Sequence, residues 1–188
     1  MKAERMPQLR FATARSLLDS FPELAKELTT ALTDEAPLDF LRKLSAQARL
    51  DDGVTFCAHL LPRREAVWWA CGAIKASSRD AAQTESEGFL AAQKWVYEPS
   101  EDNRRAALET GNRSDKAHPP TWLALGAGWS GGMLSSHPKA MVPMPQYLTP
   151  RAARIAILLN AQPMPALERA TGLRNSIAEG IKLAETGL

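Results

Sequence analysis

Cysteine and histidine are scarce in this 188-residue sequence, which has two cysteines and three histidines. Cys57 and Cys71 lie within apolar segments, where a free thiol packs as a small hydrophobic side chain. We therefore expect no disulfide framework, and a single bridge or a metal role is the alternative. The histidines are scattered and have no acids at ligand spacing, so the sequence contains no recognisable metal site.

Long hydrophobic runs and an excess of one charge are also lacking. No apolar run reaches the roughly 18 residues of a membrane span, and no apolar segment follows the charged N-terminus as it would in a signal peptide. The 23 basic and 21 acidic residues interleave, which leaves no basic stripe for nucleic acid. We predict a cytoplasmic protein with neither a membrane nor a nucleic-acid partner.

The residues that are abundant indicate a folded, helical chain. The sequence is 45% hydrophobic and 23% charged, and its length suits one compact core. Helix-starting prolines and helical apolar spacing recur, whereas strand signals are few. We predict an all-α fold, an irregular single-domain bundle of roughly eight helices over residues 1–188. Residues 1–10 are expected to be flexible, and residues 131–148 to form a long proline-rich loop.

Two prolines mark the starts of predicted helices. Pro22 precedes leucines at i, i+4 and i+8, which predicts a helix through Leu24, Leu28 and Leu32. Pro62 begins the run RREAVWWACGAIKA, whose apolar residues occupy every side of a helix. An all-round apolar helix is typically buried, so we predict that this one is central.

The stretch LALGAGWSGGM, residues 123–133, contains the dinucleotide-binding pattern G-x-G-x-x-G at Gly126, Gly128 and Gly131. That pattern functions between a strand and a helix, with an acid about 20 residues later that binds the ribose. The prolines after Gly131 interrupt a helix, and the next acid is Glu168. We predict that no cofactor binds here.

The same stretch contains the serine-hydrolase pattern G-x-S-x-G, with Ser130 at its centre. A nucleophile elbow requires a parallel sheet, followed in sequence by an acid and then a histidine. The only later histidine, His137, precedes every later acid. We predict a non-enzymatic protein, with a hydrolase-like enzyme that pairs Ser130 with His59 or His118 as the alternative.

A structural interpretation accounts for the stretch without any reaction. The apolar spacing from Trp122 indicates a helix that ends at Gly131 and Gly132. The run W-L-A-L-G-A around Gly126 also resembles W-W-A-C-G-A around Gly72. Close packing of two helices would explain both glycines, because each costs about 1 kcal/mol relative to alanine in a helix.

The first turn of the helix after Pro62 carries Arg63, Arg64 and Glu65. Arginine at a helix N-terminus opposes the helix dipole, so these residues require another explanation. We predict that they contact an acidic or phosphorylated protein partner. Alternatively, one arginine pairs with a carboxylate of a neighbouring helix and the other is solvated.

The segment after the glycines is apolar and almost uncharged. Lys139 is the only charged residue among residues 117–150, which hold six of the thirteen prolines. Such a segment packs on its own core or contacts a partner, and both possibilities remain open. The candidate partner-binding residues here are Met133, Leu134, Met141, Met144 and Tyr147.

The five tryptophans have helical spacing and are predicted to lie mainly in the core. The alternative is a tryptophan-lined pocket in a small-ligand sensor. They are Trp68, Trp69, Trp95, Trp122 and Trp129.

Several motifs together resemble a family of bacterial proteins of unknown function. They are FATAR (11–15), PLDFL (37–41), LPRREAVWWAC (61–71), WV.EPS (95–100), TWLALGAGWSGG (121–132) and LT.RA (148–152). The resemblance covers nearly the whole chain and implies genes that lie near those of type VI secretion and forkhead-associated domains. It implies no catalytic residues. The sequence departs from the family pattern at Gly72 and Lys75, and no functional inference depends on these two positions.

Overall fold

The computed structural model describes residues 9–77, 81–137 and 140–188, with the side chains of residues 135–140 left out of the description. The described residues form helices with one small two-stranded sheet, which confirms the predicted all-α class. The helices are α1 (Leu17–Ser20), α2 (Leu24–Glu27), α3 (Pro37–Ala46), α4 (Leu50–Leu60), α5 (Arg63–Ser77), α6 (Ala81–Glu85), α7 (Glu87–Tyr97), α8 (Glu101–Arg113), α9 (Pro119–Gly128), α10 (Leu148–Ala161) and α11 (Ala166–Thr186). The strands are β1 (Met133–His137) and β2 (Ala140–Pro143).

Eight of these helices contain ten or more residues, in agreement with the predicted number, and α1, α2 and α6 are single turns. Helix α9, rather than α5 as predicted, lies at the centre and packs against α7, α8, α10 and α5. Helix α10 also packs on α4 and α5, and α11 packs on α4, α5 and α3. Of the segment predicted to be flexible, residues 1–8 lie outside the described residues.

Serine side chains determine where two helices begin. The Ser86 hydroxyl accepts the Phe89 N–H and the Ser100 hydroxyl accepts the Asn103 N–H, so each serine is an N-cap. The cap at Ser86 separates α6 from α7.

The predicted long helix from Pro22 is wrong, because α2 is a single turn. The carboxylate of Asp52 on α4 accepts the backbone N–H of Thr29 at 3.0 Å and that of Thr30 at 2.9 Å. Both threonine hydroxyls donate to it as well, at 2.7 and 2.6 Å. These four hydrogen bonds hold the chain extended after Leu28 and offer it an alternative to helical pairing.

The proline-rich segment 131–148 contains an antiparallel hairpin that the sequence did not predict. Strand β1 pairs with β2, with Met133 opposite Pro143 and Val142 opposite Ser135. Pro143 lies at the end of its strand, where a missing N–H removes least from the ladder. The hairpin connects the end of α9 to α10.

Candidate interaction surfaces

The glycine-rich stretch that matches two catalytic patterns is the C-terminal part of α9. The helix is buried over nearly its whole length and ends at Gly128, earlier than the predicted end at Gly131 and Gly132. A Cβ atom at Gly128 would lie 2.6 Å from the Cα atom of Leu108 on α8. The absence of a side chain at Gly128 therefore allows α8 and α9 to approach closely.

Two arginines from other helices lie at this end of α9. Arg104 of α8 donates to the carbonyl of Gly128, and Arg63 of α5 donates to the carbonyl of Ser130. The last carbonyls of a helix have no partner within it and carry a partial negative charge, which arginine compensates. Arg104 also forms a two-pronged ion pair with Glu101.

The Glu101 carboxylate holds two neighbouring arginines in place. Hydrogen bonds from Arg104 and Arg105 lower the pKa of Glu101 to about 2. Gly132 follows with φ +79°, and a Cβ there would lie 2.7 Å from an Nη atom of Arg104. The Arg104 guanidinium therefore packs directly on the backbone where the chain leaves α9.

The observed partners of Arg63 and Arg64 explain their place at the start of α5. The Arg64 Nε–H donates to the carbonyl of Val96 at 2.7 Å, one residue before α7 ends. The two arginines thus stabilise the C-terminal regions of α9 and α7. Their partners are backbone carbonyls rather than the carboxylate that sequence analysis offered as the alternative. The roles of Arg63, Arg64 and Glu65 in partner binding stay predictions.

The hairpin presents apolar side chains to solvent. Four of them are 42–65% exposed, namely Met133, Leu134, Met141 and Val142. Large apolar side chains exposed in one place are unusual on a protein that acts alone. Three of the four, Met133, Leu134 and Met141, are candidate binding residues predicted from the sequence, and Val142 completes the set.

The other two predicted residues of this segment fix the base of the hairpin. Met144 is buried, and its N–H donates to the carbonyl of Gly132 at 3.0 Å. Tyr147 is half-buried, and the Arg151 guanidinium lies 4.7 Å from the centre of its ring. The segment therefore combines the two possibilities left open by the sequence, because its base packs on the core and its strands are exposed.

Neither of the two histidines whose side chains are described forms a hydrogen bond with Ser130. His118 precedes α9 and Ser130 follows it, so the length of a ten-residue helix, about 15 Å, lies between them. His59 is buried in α4, where its Nδ1–H donates to the Thr55 carbonyl and its ring contacts Phe21. The side chain of His137 lies outside the described residues.

A buried charged cluster surrounds His59. The Glu27 carboxylate accepts hydrogen bonds from Arg151 and Arg154 of α10, and its side chain is only 10% exposed. Burial lowers the pKa of His59, although the hydrogen bond to Thr55 and the charge of Glu27 oppose this shift. His59 is therefore a neutral imidazole in the folded protein at neutral pH.

The cysteines do not add chemistry to these surfaces. Cys57 and Cys71 are free and buried, and burial raises the pKa of both thiols, that of Cys71 to about 12. Within the described ranges, no three side chains of histidine, cysteine, aspartate or glutamate are arranged to hold a metal ion.

Two of the five tryptophans, which the sequence suggested as an alternative lining for a pocket, line a groove between α5 and α11. The groove has a volume of about 450 Å³ and is lined by Trp68 and Trp69 among other residues. The Trp69 indole N–H donates to the Ser176 carbonyl at 2.7 Å, which joins the two helices. The available signal was the spacing of Trp68, Gly72 and Ala76 at i, i+4 and i+8, but the opposite wall lies about 100 residues later in the chain.

Close helix packing was predicted at both Gly72 and Gly126. Gly72 is exposed and has no atom within 4 Å of its Cβ position, so the prediction is wrong there. At Gly126 the prediction holds, because side chains of neighbouring helices contact that position.

Fold and surfaces define a helical protein with an apolar hairpin and an aromatic groove. Residues 40–184 match a family of unknown function (DUF6931), and the chain belongs to this family. Neither a curated protein nor a solved structure matches the chain. Among the helices described, none is both long and apolar enough to cross a bilayer.

Proposed function

We propose that this chain is a non-enzymatic protein-binding module and that the apolar hairpin is its principal contact surface. The observation that supports this most directly is the group of four exposed apolar side chains on the hairpin. Two of these are methionines, whose flexible side chains adapt to different partner surfaces. A hairpin fixed at its base to a packed core resembles other binding loops, which project from a rigid scaffold.

The proposed setting is the bacterial cytoplasm, with the protein as an accessory factor of a secretion or signalling system. The resemblance of its motifs to a family whose genes lie near those of type VI secretion supports this part of the proposal. We propose a protein as the partner, because the charges are balanced and interleaved.

The test compares two double substitutions that remove equal numbers of exposed apolar side chains. Leu134→Ser with Met141→Ser changes the hairpin, whereas Leu90→Ser with Leu167→Ser changes exposed positions on α7 and α11. Each protein is cross-linked in the native cell, and the recovered partner is then purified and titrated against all three proteins. We expect at least a tenfold loss of affinity for the hairpin variant only.

Equal affinity of all three proteins for the purified partner would show that the hairpin is not the contact surface. Circular dichroism and melting temperature establish that each variant is folded. Arg63 and Arg64 are less suitable positions for this test, because their substitution would also remove hydrogen bonds at the ends of α9 and α7.

A further inference from the structure

The groove between α5 and α11 is long and open. Six residues of α5, the first Trp68 and the last Ser77, and seven residues of α11, the first Gly172 and the last Thr186, line it. At 1.5 Å per helical residue these walls are about 14 and 21 Å long. Walls of this length can accommodate a rod-like occupant such as a peptide helix.

Two glycines keep this groove open at a cost in stability. The six other glycines within the described helices have a neighbouring atom where a Cβ would lie, namely Gly53, Gly88, Gly111, Gly126, Gly128 and Gly180. Gly72 and Gly172 have none within 4 Å, and both line the groove. A helix-interior glycine costs about 1 kcal/mol relative to alanine, and no packing within this chain offsets that cost here. Space retained on both walls at such a cost indicates that the groove receives an occupant.

The two walls differ in chemistry. On the α5 side, half-buried Trp68 lines the groove, and its ring also contacts edge-on the ring of Tyr97 at the end of α7, with centroids 5.5 Å apart. On the α11 side, Glu179 and Lys182 lie 4.0 Å apart, and each side chain is more than 70% exposed. An exposed pair at this distance is weak, so both charges are available to a ligand. The occupant must therefore match an aromatic, apolar wall and a rim that carries both charges.

We propose that this groove binds an amphipathic α-helix of a protein partner. Apolar side chains at i, i+4 and i+7 of that helix pack on Trp68, Gly72 and Ala76. An acidic and a basic side chain on its flank pair with Lys182 and Glu179. The length of the walls corresponds to three to four helical turns. An acyl chain fits this groove poorly, because the rim of the groove offers a carboxylate as well as an ammonium group.

This inference rests on the proposed function, protein binding, but assigns it a second surface. The hairpin plays no part in it. The two proposals therefore fail separately, because substitutions in the groove leave the four hairpin side chains unchanged.

The test uses a displayed library of 14-residue peptides with fixed apolar positions at i, i+4, i+7 and i+11 and randomised charges between them. Peptides selected on the wild-type protein are synthesised and titrated by fluorescence anisotropy, with the intrinsic tryptophan fluorescence of the protein as a second readout. We expect dissociation constants of about 1–100 µM, because one helix buries less surface than a standard interface. Gly72→Leu and Gly172→Leu, which fill the groove, should each weaken binding at least tenfold.

Matched controls are Lys75→Leu on α5 and Ala178→Leu on α11, which add leucine at exposed positions that do not line the groove. These should change affinity less than twofold, as should the hairpin variant Leu134→Ser with Met141→Ser. Gly72→Ala keeps the helix intact and should weaken binding about threefold. Three results would overturn the proposal: no selected peptide, peptides that bind both leucine variants as tightly as the wild type, or competition for the groove by a small molecule alone.

Discussion

At the scale of single residues, the glycines of this chain differ in what they contribute to helix packing. Gly128 allows α8 and α9 to touch, whereas Gly72 faces solvent in the groove. Gly72→Ala should raise the free energy of unfolding by about 0.5–1 kcal/mol, because alanine restricts the unfolded chain and suits a helix. Gly128→Ala should lower it by about 1–3 kcal/mol, because the new Cβ would overlap the backbone of Leu108.

Urea unfolding of both variants beside the wild type measures these changes. Gly187→Ala is unsuitable as a control, because Gly187 has a positive φ of 73° that strains any side chain. Opposite signs for Gly72 and Gly128 would establish that the former occupies free space and the latter a helix contact. Destabilisation by both substitutions would mean that Gly72 also packs against part of the chain.

At the scale of secondary structure elements, a single arginine connects three of them. Arg104 of α8 donates to the carbonyl of Gly128 at the end of α9, and its guanidinium lies against Gly132, the residue before the hairpin. Arg104→Met keeps the apolar stem but removes the donor to the Gly128 carbonyl, and should destabilise the protein by about 1–3 kcal/mol. Hydrogen exchange should also show faster opening at the end of α9 and in β1.

The control for this prediction is the adjacent residue. Arg105 pairs with the same Glu101 carboxylate at 2.8 Å but is 72% exposed. Arg105→Met should change the free energy of unfolding by less than about 0.5 kcal/mol. Equal effects of the two substitutions would assign the stabilisation to the ion pair rather than to the hydrogen bond at the helix end.

The beginnings of several helices could be predicted from the sequence because their causes are local. Pro37 occupies the first turn of α3, and Ser100 caps α8 through a residue three positions later. The end of α2 could not be predicted, because Asp52 lies more than 20 residues from Thr29 and Thr30. The hairpin also escaped prediction, since its strands have only five and four residues and β2 ends at Pro143.

At the scale of the whole molecule, the candidate surfaces also divide into those that the sequence could predict and those that it could not. The apolar residues of the hairpin lie close together in the sequence, so they could be predicted as one candidate surface. Arg63, by contrast, has its partner 67 residues away, and Trp69 donates to a carbonyl 107 residues away. A periodic pattern identifies one face of a helix but not the element that packs against it. The groove between α5 and α11 therefore required the tertiary structure.

The buried cluster around His59 should make the stability of the whole molecule depend on pH. The pKa of His59 is lowered in the folded state, mainly by burial, against about 6.5 in an unfolded chain. Below that value the unfolded chain binds a proton that the folded protein does not. Stability from this residue is therefore full above pH 6.5 and falls by up to about 1.4 kcal/mol per pH unit towards the folded pKa.

The pKa values of Asp52 and Glu101 are also lowered in the folded state, the former by its four threonine hydrogen bonds, which outweigh the opposing effect of burial. Their contributions to stability are present above the unfolded pKa of about 4 and are lost as the pH falls below it. The interval between pH 5 and 7 consequently isolates the effect of His59 from that of both carboxyl groups.

Urea unfolding at half-unit pH steps across this interval should give a free energy of unfolding that rises with pH for the wild type. His59→Gln should flatten that rise because glutamine does not titrate, whereas His118→Gln, which alters an imidazole that is 72% exposed, should leave it intact. An unchanged slope in His59→Gln would mean that His59 takes up its proton equally in the folded and unfolded states, so that Glu27 offsets the effect of burial.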